Sequence, residues 1–127
     1  MDSETPISLH DANRILPELR GKVGKLVRIY KKLKKISVYQ KDALDSVKTT
    51  GSAPVHPVYF RFLENLHSSL QDVTTLGCEV KDLETGLIDF PSLREGRIVY
   101  LCWRLGEDRI GHWHEVEAGF AGRKPVD

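Results

Sequence analysis

Apolar side chains recur at alternating intervals of four and three along the first part of the chain: Ala12, Leu16, Leu19, Val23, Leu26, Tyr30 and Leu33, continued by Ser37, Gln40, Leu44 and Val47. A seven-residue repeat kept this long predicts a coiled-coil-like helix over residues 8–49. Ser8 can cap its start, with Asp11 three residues later and Ile7 as the staple residue before it. Pro17 lies inside the pattern without an N–H to give, which predicts a kink or a division there. Gly51, Pro54 and Pro57 interrupt the repeat. A second series, Tyr59, Phe62, Leu63, Leu66, Leu70, Val73 and Leu76, predicts a helix over residues 57–76 that closes at Gly77. Together the two form an antiparallel hairpin. At ~1.5 Å per residue the first helix is ~60 Å long and the second ~30 Å. The shorter one pairs with roughly residues 28–47. The seam from Ala12 to Leu26 therefore needs another apolar partner, either the C-terminal third or a second chain.

The period changes after residue 77. Glycines at 77, 86, 96 and 106 separate short segments rich in β-branched and aromatic residues, the spacing of a β-meander. Strands are predicted near 79–82, 87–90, 97–104 and 109–116, with turns at Glu84-Thr85-Gly86 and Gly106-Glu107-Asp108. The fold expected is α+β: one domain over residues 1–127, in which a long N-terminal helical hairpin packs on a small antiparallel β-meander, with meander and tail in residues 78–127. Gly21 and Gly24, costly inside a helix, predict a close backbone approach there, by the sheet.

Composition narrows the class. A 40% hydrophobic and 29% charged content belongs to soluble globular chains and excludes collagen-like and wholly disordered ones. No window approaches the 18 or so uncharged apolar residues of a membrane span, and the first residues have no leader pattern. Cys78 and Cys102 are too few for a disulfide scaffold, so free thiols and a cytoplasmic location are expected. The formal net charge of +1 is an average over unlike halves: residues 1–41 carry 10 basic and 4 acidic groups, the remainder 9 and 14. The basic run from Arg14 to Lys41 could track phosphates, so nucleic-acid binding through helix residues 14–41 is one reading. The other is that the basic helix and the acidic remainder complement each other.

Candidate chemistry lies in the C-terminal third. His112 and His114 are two residues apart on a predicted strand and share a face. If Arg104 pairs with Arg109, Leu101 faces His112 and Val99 faces His114. A slip of one residue instead brings Cys102 beside His112 and Tyr100 beside His114, a group that resembles a zinc site. Glu107, Glu115 or Glu117 could add a ligand. Charged residues crowd the predicted turns: Lys81, Asp82 and Asp89 at the first, Arg104, Glu107, Asp108 and Arg109 at the last. They can serve as an acid–base pair or as plain rim ion pairs.

The strings HDANRILPEL (10–19), VKDLETGLIDFP (80–91) and LCWRLGEDRIGHWHEVEAGFAGRKP (101–125) resemble a bacterial and archaeal family, domain of unknown function 2203, over nearly the whole chain. The resemblance implies no particular activity. It singles out Lys81, Asp82, Asp89, Cys102, Arg104, Glu107, His114, Glu115 and Arg123 as the polar matching positions. His114 falls in the WHE element and His112 outside it, which moves the weight to His114 with Glu107. Three functions are therefore expected, in this order. The first is a self-associating interaction module, a homo-oligomer (dimer) through the helical seam, with a polar site of Lys81, Asp82, Asp89, Arg104, Glu107, His114 and Arg123. The second is a metal-binding protein or metal-dependent hydrolase that holds zinc, manganese or nickel through His114 and Glu107, with His112, Cys102 or Glu115. The third is nucleic-acid binding.

Overall fold

In a computed structural model of the chain, residues 5–47 and 57–127 are described, with side chains for 5–37 and 57–127. The expected end of the long helix at 48–49 and the break at Gly51 and Pro54 lie outside the described residues, as do the side chains of Gln40, Leu44 and Val47. The fold is α+β, with helices in the first half and a five-stranded antiparallel sheet in the second.

Helix α1 (Leu9–Arg14) starts where Ser8 Oγ accepts the Asp11 N–H at 3.0 Å. It ends at Ile15, and helix α2 (Leu16–Val47) follows at once. In an unbroken helix the Pro17 ring would strike the carbonyl of Asn13, four residues back. In the first turn of a new helix its missing N–H costs nothing. The division therefore falls at Ile15, two residues before the proline.

The seam of α1 and α2 is deeply buried, with Ala12, Leu19 and Val23 fully sequestered and Leu16 and Leu26 nearly so. Their partners are the sheet residues Ile88, Phe90, Val99, Leu101, Trp103 and Trp113. Of the two partners the length mismatch allowed, the C-terminal third is thus the one that covers Ala12 to Leu26. Helix α3 (Pro57–Thr74) packs against α2 and contributes Val73 to the same core.

Strands β1 (Glu79–Asp82), β2 (Leu87–Arg94), β3 (Arg97–Arg104), β4 (His112–His114) and β5 (Lys124–Pro125) lie in sequence order. Between β1 and β2, the Asp82 carboxylate accepts the Glu84 N–H at 3.1 Å and the Thr85 hydroxyl at 2.7 Å. Between β2 and β3, Glu95 (φ 52°) and Gly96 (φ 78°) both occupy the left-handed region. A two-residue turn of that kind matches the twist of the strands it joins. The tight approach of sheet to helix occurs at Gly86, against Val23 and Val27, whereas among the described residues Gly21 has no neighbour within 4 Å of a would-be Cβ and Gly24 only the Arg28 guanidinium.

Two strands differ in length from expectation. β2 runs on through Pro91 because β1 pairs with it only as far as Asp89. Beyond that point no strand among the described residues pairs with that edge, the Ile7 segment lies there instead, and a residue without an N–H fits. The Pro91 carbonyl accepts the Ile7 N–H at 2.8 Å, and the Ser92 hydroxyl donates to the Ile7 carbonyl at 2.6 Å. The expected strand 109–116 shortens to His112–His114 because Asn13 takes both backbone groups of Ile110: it accepts the N–H at 2.8 Å and donates to the carbonyl at 3.3 Å. Residues 105–111 are thereby tied to the helices, with Arg20 donating to the Asp108 carbonyl at 3.0 Å. Among the described residues no helix is long and apolar enough to cross a membrane.

Candidate metal centre

Alternation along β2 and β3 turns Ile88, Phe90, Val99, Leu101 and Trp103 toward the helices, so Asp89, Tyr100 and Cys102 point to the opposite face. The two-residue turn at Glu95-Gly96 sets Arg94 opposite Arg97, and five residues further back it sets Asp89 opposite Cys102. On the other side of β3, Tyr100 pairs with His114 and Cys102 with His112. This is the register that sequence left open as a one-residue slip.

Asp89, Cys102 and His114 converge. One ligand atom of each lies within 4.8 Å of the other two, and all three residues are buried. His114 Nδ1 sits 2.7 Å from the Glu115 carbonyl oxygen. A carbonyl only accepts, so Nδ1 carries the hydrogen and donates it. Nε2 is then directed at Asp89 Oδ2, 3.1 Å away, with 2% and 4% of the two side chains exposed. A backbone carbonyl that fixes one ring nitrogen while the other faces a cluster of ligand atoms is the usual support of a metal-binding histidine.

The other carboxylate oxygen, Asp89 Oδ1, is buried and has no hydrogen-bond partner among the described residues. Such an acceptor costs about 1–3 kcal/mol when left unsatisfied. Burial, and then the neighbouring Asp89 carboxylate, push the Cys102 thiol up to about 12. A divalent cation answers each of these groups: it pairs with the carboxylate, takes the imidazole lone pair and deprotonates the thiol. Tetrahedral zinc separates neighbouring nitrogen and oxygen ligands by about 3.3 Å, close to the observed Nε2 to Oδ2 distance of 3.1 Å.

The other residues singled out from sequence fall into separate groups. Glu107 does not meet His114. Its carboxylate accepts Arg123 Nη2 at 2.7 and 3.0 Å and the Arg104 N–H at 2.7 Å, and lies 3.9 Å from His112 Nδ1. Burial alone would raise its pKa, but the Arg123 and Arg104 hydrogen bonds outweigh it and hold Glu107 below the usual carboxylate range. Arg123 also donates to the Cys102 carbonyl at 3.3 Å, so this ion pair lies directly beside the cluster. The Glu115 side chain turns away to Arg97, 2.7 Å distant, and only its carbonyl serves His114. Lys81 pairs with Glu79 at 2.7 Å and lies over the Tyr100 ring, Asp82 closes the first turn, and the Arg104 guanidinium covers Phe120. Of the residues expected as metal ligands, the structure brings His114 and Cys102 together with Asp89 and leaves Glu107, His112 and Glu115 outside that cluster. On the basic helix, Lys22 pairs with Glu18 and Lys34 with Glu84, the latter joining α2 to the sheet side.

A family model described as an uncharacterized conserved protein (DUF2203) matches residues 7–126. No curated protein and no solved structure matches the chain.

Proposed function

This chain belongs to the DUF2203 family of uncharacterized conserved proteins, and we propose that it is a metal-binding protein that holds one zinc ion between Asp89, Cys102 and His114. The observation that carries the reading is the convergence of three buried ligand atoms of different chemistry within 4.8 Å. A thiolate, an imidazole and a carboxylate together suit zinc better than the hard cations magnesium or calcium. Two negative ligands also balance its charge inside a buried site. Because all three ligands are buried, holding an ion is the better supported function than hydrolysing a substrate. A reducing, cytoplasmic setting suits this role, since Cys102 must stay reduced to bind as a thiolate. The dimer expected through the helical seam has less support, because Ala12 to Leu26 are covered within the chain.

Zinc titration of the full chain, followed by thermal unfolding, tests the reading. At free zinc about 100 times Kd, binding stabilises the fold by about 2.7 kcal/mol, or roughly 10 °C at this size. The shift disappears in Cys102→Ser and Asp89→Asn and survives in Glu115→Gln. An equal response to zinc in all four proteins would show that the ion binds elsewhere.

A further inference from the structure

The face of β4 opposite the Asp89 cluster holds a different arrangement. Three cations crowd the Trp113 ring: Arg94 at 4.5 Å, Lys124 at 5.1 Å and Arg97 at 5.8 Å from its centroid. Arg97 is neutralised by Glu115 at 2.7 Å and Glu95 at 3.3 Å. Among the described residues Arg94 has no carboxylate within ion-pair distance, and Lys124 feels Glu115 only at longer range. Among the described residues, three positive groups against two negative ones leave an excess positive charge.

Beside this cluster lies a cavity of about 190 Å³ whose wall includes Ser8, Arg94, Val99, Leu101, Trp113 and Val126. Among the described residues of that wall, Arg94 is the one that carries a charge. Ser8 Oγ accepts the Asp11 N–H, which leaves its own hydrogen free to donate.

We propose that this cavity binds a small monocarboxylate with a short apolar body. The carboxylate pairs with the Arg94 guanidinium and the Ser8 hydroxyl, and the body lies on Trp113, Val99, Leu101 and Val126. A guanidinium presents two parallel donors that match a carboxylate. Apolar walls reward a hydrocarbon body, which phosphate and sulfate lack, and a neutral hydrocarbon would leave Arg94 unpaired. The volume is below the ~300–1,000 Å³ of sites for larger ligands, which restricts the occupant to a few heavy atoms.

Titration of the isotopically labelled full chain with butyrate, benzoate and inorganic phosphate, read by the two indole N–H signals, tests the site. The Trp103 indole, held by the Glu107 carbonyl at 3.0 Å, is the internal control. Saturable shifts of the Trp113 signal are expected for both acids, with Kd of about 1 mM. Arg94→Gln weakens binding about tenfold or more. Val126→Phe, which fills the cavity and leaves Arg94 in place, abolishes it. Asp89→Asn, on the other face, leaves it unchanged. The proposal fails if neither acid saturates by about 30 mM, if phosphate produces the same shifts, or if both acids bind Arg94→Gln and Val126→Phe as tightly as the parent chain.

Discussion

Replacing Gly86 with alanine probes how the sheet is fastened to α2. Gly86 stands at φ 73°, its N–H bonded to the Asp82 carbonyl and its own carbonyl to the Leu105 N–H, each at 3.0 Å. A Cβ at this position would lie 2.9 Å from Leu105 Cβ, 3.0 Å from Val23 Cγ1 and 3.2 Å from Val27 Cγ2. The left-handed backbone costs an alanine about 1–2 kcal/mol. Forcing a methyl group into packed side chains costs about 1–3 kcal/mol more. A loss of about 2–5 kcal/mol is expected, a large share of the ~5–15 kcal/mol that holds a domain together. Gly96 supplies the control, since it has nearly the same φ (78°) and, among the described residues, nothing within 4 Å of a would-be Cβ. Gly96→Ala should therefore lose only the backbone part, about 1–2 kcal/mol. Urea unfolding followed by far-ultraviolet circular dichroism gives both values, as midpoints that fall at unchanged m. Equal losses in the two variants would mean that the β1–β2 turn does not press on Val23, Val27 and Leu105.

Burial pushes both cysteine thiols up to about 12, so neither should react with a thiol reagent at about pH 8 in the metal-free native protein, and both should react once urea unfolds it. A fast-reacting thiol in the native state would contradict the buried positions of Cys78 and Cys102. Glu107 is held below its ordinary range by Arg123 and the Arg104 N–H. Its contribution to stability is therefore complete above the unfolded value of about 4.3 and is lost as pH falls through the lower folded value. Arg123→Met should flatten the fall of the urea midpoint below about pH 4.3, and an unchanged acid dependence would contradict the role given to the Glu107–Arg123 pair.

Much of the fold is legible in the residue pattern, and what is not has local causes. The heptad from Ala12 to Leu33 announces a helix with one buried seam, and the glycines after residue 77 announce a meander. Pro91 hides the length of β2, because a proline looks like a strand end until the edge beyond Asp89 is known. Asn13 shortens β4 from 97 residues away, through a side-chain clamp on Ile110 that no local pattern displays. The candidate site is half legible. His114 and Cys102 stand out by type, and Asp89 was available from Arg94-Glu95-Gly96-Arg97: a two-residue turn there fixes the β2–β3 register and sets Asp89 opposite Cys102. Glu107 reads as the partner of His114 because the GE and WHE elements flank one predicted hairpin. The long 105–111 connection instead delivers it to Arg123, a residue whose position depends on the tail folding back as β5.

Zinc-edge X-ray absorption on the full chain reads the ligands of a bound ion. With Asp89, Cys102 and His114 as the site, the spectrum shows one sulfur at about 2.3 Å and nitrogen or oxygen neighbours at about 2.0–2.2 Å, with one zinc retained per chain. A shell without sulfur, or retention of less than about 0.1 zinc per chain after dialysis, would contradict it.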